Sequence, residues 1–332
     1  METTARLNKK AIAGFMQNNA IIIIMMLIAV YVGISENNFF TMGNFKNLAV
    51  NTAVRFIIAL GVSGALITKG TDLSAGRLVG LGSCIAASLL QRPDFSSKLF
   101  PGLPELPLFF VLIVTIIICG LFGFANAAVI SFLKVPPFIA TLGMQTLVYG
   151  ICLVYTGAQP IGGLRKDYTG IATGSIFGIP YLLIISVLCG LFMWFLYNMT
   201  KHGKYMYAIG GNENAAEVAG VNTGKTKIKI YTLAAMLYAV GGILLAAKAG
   251  GTSVNMGSGY ELEAIAACTI GGVSTNGGVG KVSGILIGVL VFELLKISLQ
   301  FLGVETSYTY IVQGLVIIIA VALDLRKYLA KK

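Results

Sequence analysis

The chain has 332 residues, of which 56% are hydrophobic and only 11% charged, and its mean hydropathy is +0.85. That composition describes a polytopic membrane protein and excludes a large soluble domain. The net charge of +11 sits in short loops and at the termini, which fits membrane orientation rather than nucleic-acid binding.

Arg6, Lys9 and Lys10 precede an apolar run over residues 20–34. The basic-then-apolar order is that of a signal peptide, but Ser35-Glu36-Asn37-Asn38 offers no small-residue cleavage site, so the run is read as a first span. A second run covers 48–68 and contains Arg55; a third, shorter one follows Arg77 and extends to Leu90. Pro93, Pro101, Pro104 and Pro107 mark a long loop. Residues 108–132 form the fourth segment, Pro136-Pro137 a tight turn, and 138–156 the fifth. A glycine-rich loop leads to Pro180 and the sixth segment, 181–199. After a polar loop the seventh covers 230–249, a short eighth 262–273, the ninth 282–302 and the tenth 308–323. This predicts an all-α membrane domain of about ten segments, the third and eighth too short to cross alone.

With the N-terminus inside, inside segments hold about 16 of the 24 cations and outside loops about 5, the rest being Arg55, Lys248 and Lys296 in apolar segments. Both termini and the loop 200–229 are then cytoplasmic. Inside that loop, 212–219 reads as a short helix: Asn212 is a good N-cap, Glu213 sits in the first turn, and Gly220 ends it in a left-handed conformation. Such a helix on a basic loop is either a docking element or a solvated loop that happens to be helical.

Asp72-Leu73-Ser74-Ala75 opens the third segment and Glu261-Leu262-Glu263-Ala264 opens the eighth. Five segments separate the copies, so they have opposite orientation, and short helices at matched places in inverted halves point to a substrate path. The halves are residues 1–156 and 180–332. Asp72, Ser74, Arg77, Glu261 and Glu263 are the candidate path residues. Asp72 and Glu261 are also expected to cap the two short helices.

Catalysis has no support. His202 has no Cys or carboxylate partner at metal spacing, and the five cysteines lie in apolar runs without ligand spacing. The stretches 219–226 and 275–282 mimic a phosphate-binding loop without its strand–loop–helix setting. No metal or cofactor is expected in this chain, and energy from ATP would come from another polypeptide.

Lys69-Gly70-Thr71-Asp72-Leu73-Ser74-Ala75-Gly76-Arg77, Pro137-Phe138-Ile139-Ala140-Thr141-Leu142-Gly143, Ala208-Ile209-Gly210-Gly211-Asn212, Tyr260-Glu261-Leu262-Glu263-Ala264-Ile265-Ala266-Ala267-Cys268 and Gly271-Gly272-Val273-Ser274 together carry a family resemblance. The chain resembles the permease subunits of bacterial ABC sugar importers in the ribose/galactose branch, with Thr71 and the proline-broken outer loop nearest the galactose/methyl-galactoside type. The resemblance implies a homodimer in the inner membrane, two ATPase subunits that bind ATP and magnesium, and an extracytoplasmic sugar-binding protein. It implies a fold nearer the vitamin B12 importer than the maltose type. It makes 212–222 the coupling helix, with Gly211, Asn212, Glu213, Ala216, Glu217, Gly220, Val221 and Asn222 as the ATPase-coupling residues. Alternatives that stay open are a sister permease for ribose, another sugar or a nucleoside, and an ion-coupled secondary transporter built on the same carboxylates.

Overall fold

The computed structural model describes residues 20–329; Arg6, Lys9, Lys10, Lys331 and Lys332 lie outside them. Among the described residues are thirteen α-helices and one two-residue-stranded hairpin. The first half holds α1 (Ala20–Ser35), α2 (Met42–Ile67), α3 (Ala75–Leu89), α4 (Leu108–Phe132) and α5 (Pro137–Thr156). Between the halves come α6 (Lys166–Thr173), β1 (Ser175–Ile176) and β2 (Ile179–Pro180). Then follow α7 (Tyr181–Met199), α8 (Lys201–Gly211), α9 (Glu213–Val218), α10 (Thr223–Ala249), α11 (Tyr260–Ile270), α12 (Val282–Phe301) and α13 (Thr306–Leu329).

Local chemistry sets these boundaries. The Thr41 hydroxyl accepts the Asn44 N–H and starts α2. Pro137 occupies the first turn of α5, where its missing N–H costs nothing, and Gly157 ends that helix with φ +58°. Among the described residues, seven helices are long and apolar enough to cross a membrane: α2, α4, α5, α7, α10, α12 and α13. At 15 and 11 residues, α3 and α11 reach only about 22 and 16 Å, short of a hydrocarbon core of about 30 Å. The chain is thus an all-α polytopic membrane protein.

The second segment starts at Met42 rather than 48, the loop before Pro180 contains α6 and the hairpin, and three further stretches differ from the expectation near the candidate residues. The eighth segment begins at Tyr260 and ends at Ile270, so its first turn includes both acidic residues. Residues 201–211, read as loop, form α8, because Gly203, Met206, Ile209 and Gly210 make a buried stripe at helical spacing that the surrounding charges conceal. The seventh span starts at Thr223 rather than 230. Asn222 caps it by accepting the Lys225 N–H at 2.9 Å, and the basic stretch 225–229 is its first turns.

The centre of the molecule is α2 and α10, packed on each other. In their membrane-length windows 83% and 72% of residues are buried, against 22% in α5 and 11% in α13, whose apolar faces are outward. Packing around the centre is reciprocal: α3 lies against α10 and α5, while α11 lies against α2 and α13. The α3–α10 contact depends on Gly242, where an added Cβ would stand 2.2 Å from the Val79 carbonyl oxygen. Between apolar helices in a membrane, such close approach by small residues supplies the packing that hydrophobic exclusion cannot.

Candidate functional site

Three constellations hold the candidate residues. The first is the connection from α8 to α10. Asn212 Oδ1 accepts the Ala215 N–H at 3.1 Å and begins α9. At its other end Gly220, with φ +86°, donates to the Glu217 carbonyl at 2.9 Å, and Val221 donates to the Ala216 carbonyl at 3.0 Å. This pair of bonds is a Schellman ending, which needs the left-handed residue that glycine supplies. Glu213 accepts from Lys227 at 2.6 Å and Glu217 accepts from Thr223 at 2.5 Å, so both acidic side chains tie α9 down to the start of α10. Ala216 is buried against the rest of the chain and anchors the helix. Gly211, Asn212, Glu217, Gly220 and Asn222 are exposed, and Val221 is partly so. Val218, 91% exposed, is the apolar point of this surface.

The second constellation is where α3 begins. Asp72 Oδ1 accepts from the Ser74 N–H at 3.0 Å and the Ser74 hydroxyl at 2.6 Å, and Tyr238 on α10 donates to Oδ2 at 3.0 Å. Asp72 is 1% exposed and Ser74 is fully enclosed. Asp72 therefore closes a turn ahead of α3 and pins it to α10, while the residue at the cap position, Ser74, makes no side-chain capping bond. Arg77 reaches out of α3, donates to the Val254 carbonyl at 3.2 Å and lies 4.1 Å over the Tyr149 ring. Glu261 meets this region at Gly76, whose added Cβ would stand 2.0 Å from Glu261 Oε2. It sits in the first turn of α11 after a Gly259 cap, and Oε2 is buried with no hydrogen bond. The expected matched carboxylate caps are thus replaced by a turn closure at Asp72 and a first-turn carboxylate at Glu261.

Glu263, two residues further along α11 and so on its other side, belongs elsewhere. It accepts from Arg55 Nε at 3.1 Å and from Lys296 at 2.9 and 3.1 Å. Glu293 Oε2 also lies 3.1 Å from Arg55 Nε, but that N–H is aimed at Glu263, so Glu293 is held by charge without a hydrogen bond. The guanidinium stands 5.1 Å over the Tyr260 ring. Two cations and two carboxylates thereby join α2, α11 and α12. Sequence reading identified Glu263, noted Arg55 and Lys296 as cations in apolar segments without giving them a role, and missed Glu293 and Tyr238. Arg55 lies alone in its apolar run, and Glu293 and Lys296 share another three positions apart; their presence in membrane helices was the available signal, since an ionisable residue there needs a partner or a function.

The family model described as the permease component of branched-chain amino acid transport systems matches residues 44–321. The galactose/methyl galactoside import permease of Escherichia coli (strain K12) is 40% identical over 98% of this chain and 99% of its own length. The protein of that name from Haemophilus influenzae is equally similar over the same shares. The ribose import permease of Haemophilus influenzae is 34% identical over 95% of this chain and 94% of its own. No solved structure matches. With a family match across most of its helices and relatives alignable end to end, the chain belongs to this family of bacterial transport permeases.

Proposed function

We propose that the chain is the membrane-spanning subunit of an ATP-driven importer that moves galactose or a methyl galactoside into the cytoplasm. The observation that carries the reading is the 40% identity to galactose/methyl galactoside permeases over 98% of the chain. The family description speaks of branched-chain amino acids, but the relatives similar at full length are sugar permeases. Ribose is the second reading, favoured by the 34% relatives.

In this reading two copies pair in the inner membrane, with ten segments in each arranged as inverted halves, residues 1–156 and 180–332. The reciprocal packing of α3 with α10 and α5, and of α11 with α2 and α13, supports the inverted halves. Both termini and residues 200–229 face the cytoplasm. There two ATPase subunits bind ATP and magnesium and receive α9 through Gly211, Asn212, Glu213, Glu217, Gly220, Val221 and Asn222, with Ala216 as its anchor. A sugar-binding protein delivers substrate on the other face. ATP binding closes the ATPase pair, α9 moves with it, and the path between the copies changes sides. The exposed Val218 and the doubly capped α9 support a docking role, because a short helix tied at both ends transmits displacement better than a slack loop. Asp72, Ser74, Arg77, Glu261 and Glu263 border the path in this reading. The buried Asp72 and Ser74 do so by fixing α3, Glu261 from a buried first-turn position on α11, and Arg77 and Glu263 from positions nearer its surface.

The test is to purify the chain with its ATPase and binding protein, reconstitute the complex in vesicles and measure ATP-dependent uptake of labelled galactose, ribose and leucine. Galactose uptake is the expected result. Uptake of leucine alone, or uptake driven by an ion gradient without an ATPase, would overturn the proposal.

A further inference from the structure

A groove of about 510 Å³ with a mixed polar and apolar lining opens between α11, α12 and α13, lined among others by Tyr260, Glu263, Lys296, Gln300, Tyr310 and Gln313. That volume falls within the range of about 300–1,000 Å³ usual for small-molecule sites. Two of its walls, α12 and α13, are helices of membrane length, and α13 has only 11% of its span buried. Charged and amide side chains cannot face hydrocarbon without a large cost, so this groove opens onto water or a second polypeptide rather than lipid.

The charges beside it decide what kind of ligand fits. Arg55 and Lys296 are balanced by Glu263 and Glu293 within one set of ion pairs. The set presents donors and acceptors but has no net charge with which to draw an anion or a cation. A carboxylate has more acceptor sites than the bonds Glu263 makes, and an ammonium has three donors, so Glu263 and Lys296 keep capacity beyond their mutual contact. Gln300 and Gln313 add amide donors and acceptors, and Tyr260 and Tyr310 add aromatic faces. Rich in hydrogen-bonding atoms, bounded by rings, and with its two lining cations paired to Glu263 in the wall and to Glu293 buried behind it, the groove matches a pyranose, which has hydroxyls at its edge and an apolar C–H face.

We propose that this groove is a binding subsite for the transported monosaccharide, with Glu263, Lys296, Gln300 and Gln313 bonding the hydroxyls and Tyr310 packing on the ring. The inference rests on the sugar-importer reading and names the residues that contact the sugar within it. It also separates Glu263 from Asp72 and Ser74, which are enclosed and fully engaged in holding α3.

The experiment uses the reconstituted complex of permease, ATPase and binding protein. Tyr310→Ala and Gln313→Ala are compared with wild type for galactose moved and ATP hydrolysed. Each is expected to lower the galactose moved per ATP hydrolysed at least fivefold while ATP hydrolysis in the presence of loaded binding protein changes less than twofold. In parallel, a diazirine-bearing methyl galactoside is photolysed on wild-type complex, which needs no variant to fold. Labelling within residues 258–314 that excess galactose prevents supports the proposal. Wild-type stoichiometry in both variants, labelling confined to other helices, or protection by anionic lipid instead of galactose would overturn it. If the wild-type complex imports no sugar at all, the importer reading fails, and this inference with it, before any variant is made.

Discussion

At the scale of single residues, burial separates structural from solvent-facing groups that the sequence presents alike. The Tyr238 hydroxyl bonds a carboxylate that is 1% exposed. Tyr238→Phe removes one charge-assisted donor from Asp72 and should lower stability by about 1–3 kcal/mol, read as a fall in melting temperature of the detergent-purified protein. Unchanged melting would mean that Asp72 does not depend on that bond. His202 lies on α8, outside the membrane segments. Burial, and then the nearby Lys229, depress its pKa below the usual 6.5. The unfolded chain therefore takes up a proton that the folded chain resists. Stability is fully present above about pH 6.5 and declines as pH falls toward the depressed value. Melting curves at successive pH values should show this slope in wild type and lose it in His202→Gln. Asp72 and Glu261 share a motif position and end in different roles because side-chain partners come from distant segments: Tyr238 for one, none for the other. No local pattern carries that information.

Among elements, α9 was the most legible. Its Asn212 start and Gly220 stop follow from intrinsic backbone preferences, and the structure places both there. Helices flanking it were less so. The polar residues at 201–211 and 223–229 conceal helix because their buried faces depend on packing against other segments, as when Tyr207 donates to the Gly280 carbonyl at 2.8 Å. The candidate path residues were legible as a matched polar motif opening two short segments, but their grouping was not, since Arg55 and Glu263 are 208 positions apart. Gly220→Val forces a β-branched side chain into φ +86° and should unseat the end of α9. The expected outcome is normal membrane insertion with at least a fivefold loss of ATPase co-purification. Val218→Asp, which changes only the exposed apolar point, should weaken the same association without changing the melting temperature. If both variants retain the ATPase in full, α9 is not the docking element.

For the whole molecule, composition and the spacing of apolar runs announced a many-helix membrane protein, while the length of each helix decided which of them cross. Orientation is checked by a single cysteine at Asn214 in a cysteine-free chain. In intact cells it should resist an impermeant thiol reagent, and labelling from outside would invert the proposed topology. The balanced set formed by Arg55, Lys296, Glu263 and Glu293 bears on the electrical behaviour of the transporter. Moving one elementary charge through the full membrane field involves about 2.3 kcal/mol per 100 mV. A set with two charges of each sign carries no net gating charge when its helices shift together, so voltage does no work on it, and a neutral sugar adds none. Uptake by wild-type vesicles should be flat across imposed potassium diffusion potentials. Lys296→Met leaves the set one charge negative and Glu293→Gln leaves it one positive, so their residual uptake should respond to voltage with opposite signs. A cell using this permease would then draw sugar at a rate indifferent to how strongly its membrane is energised, as long as ATP lasts.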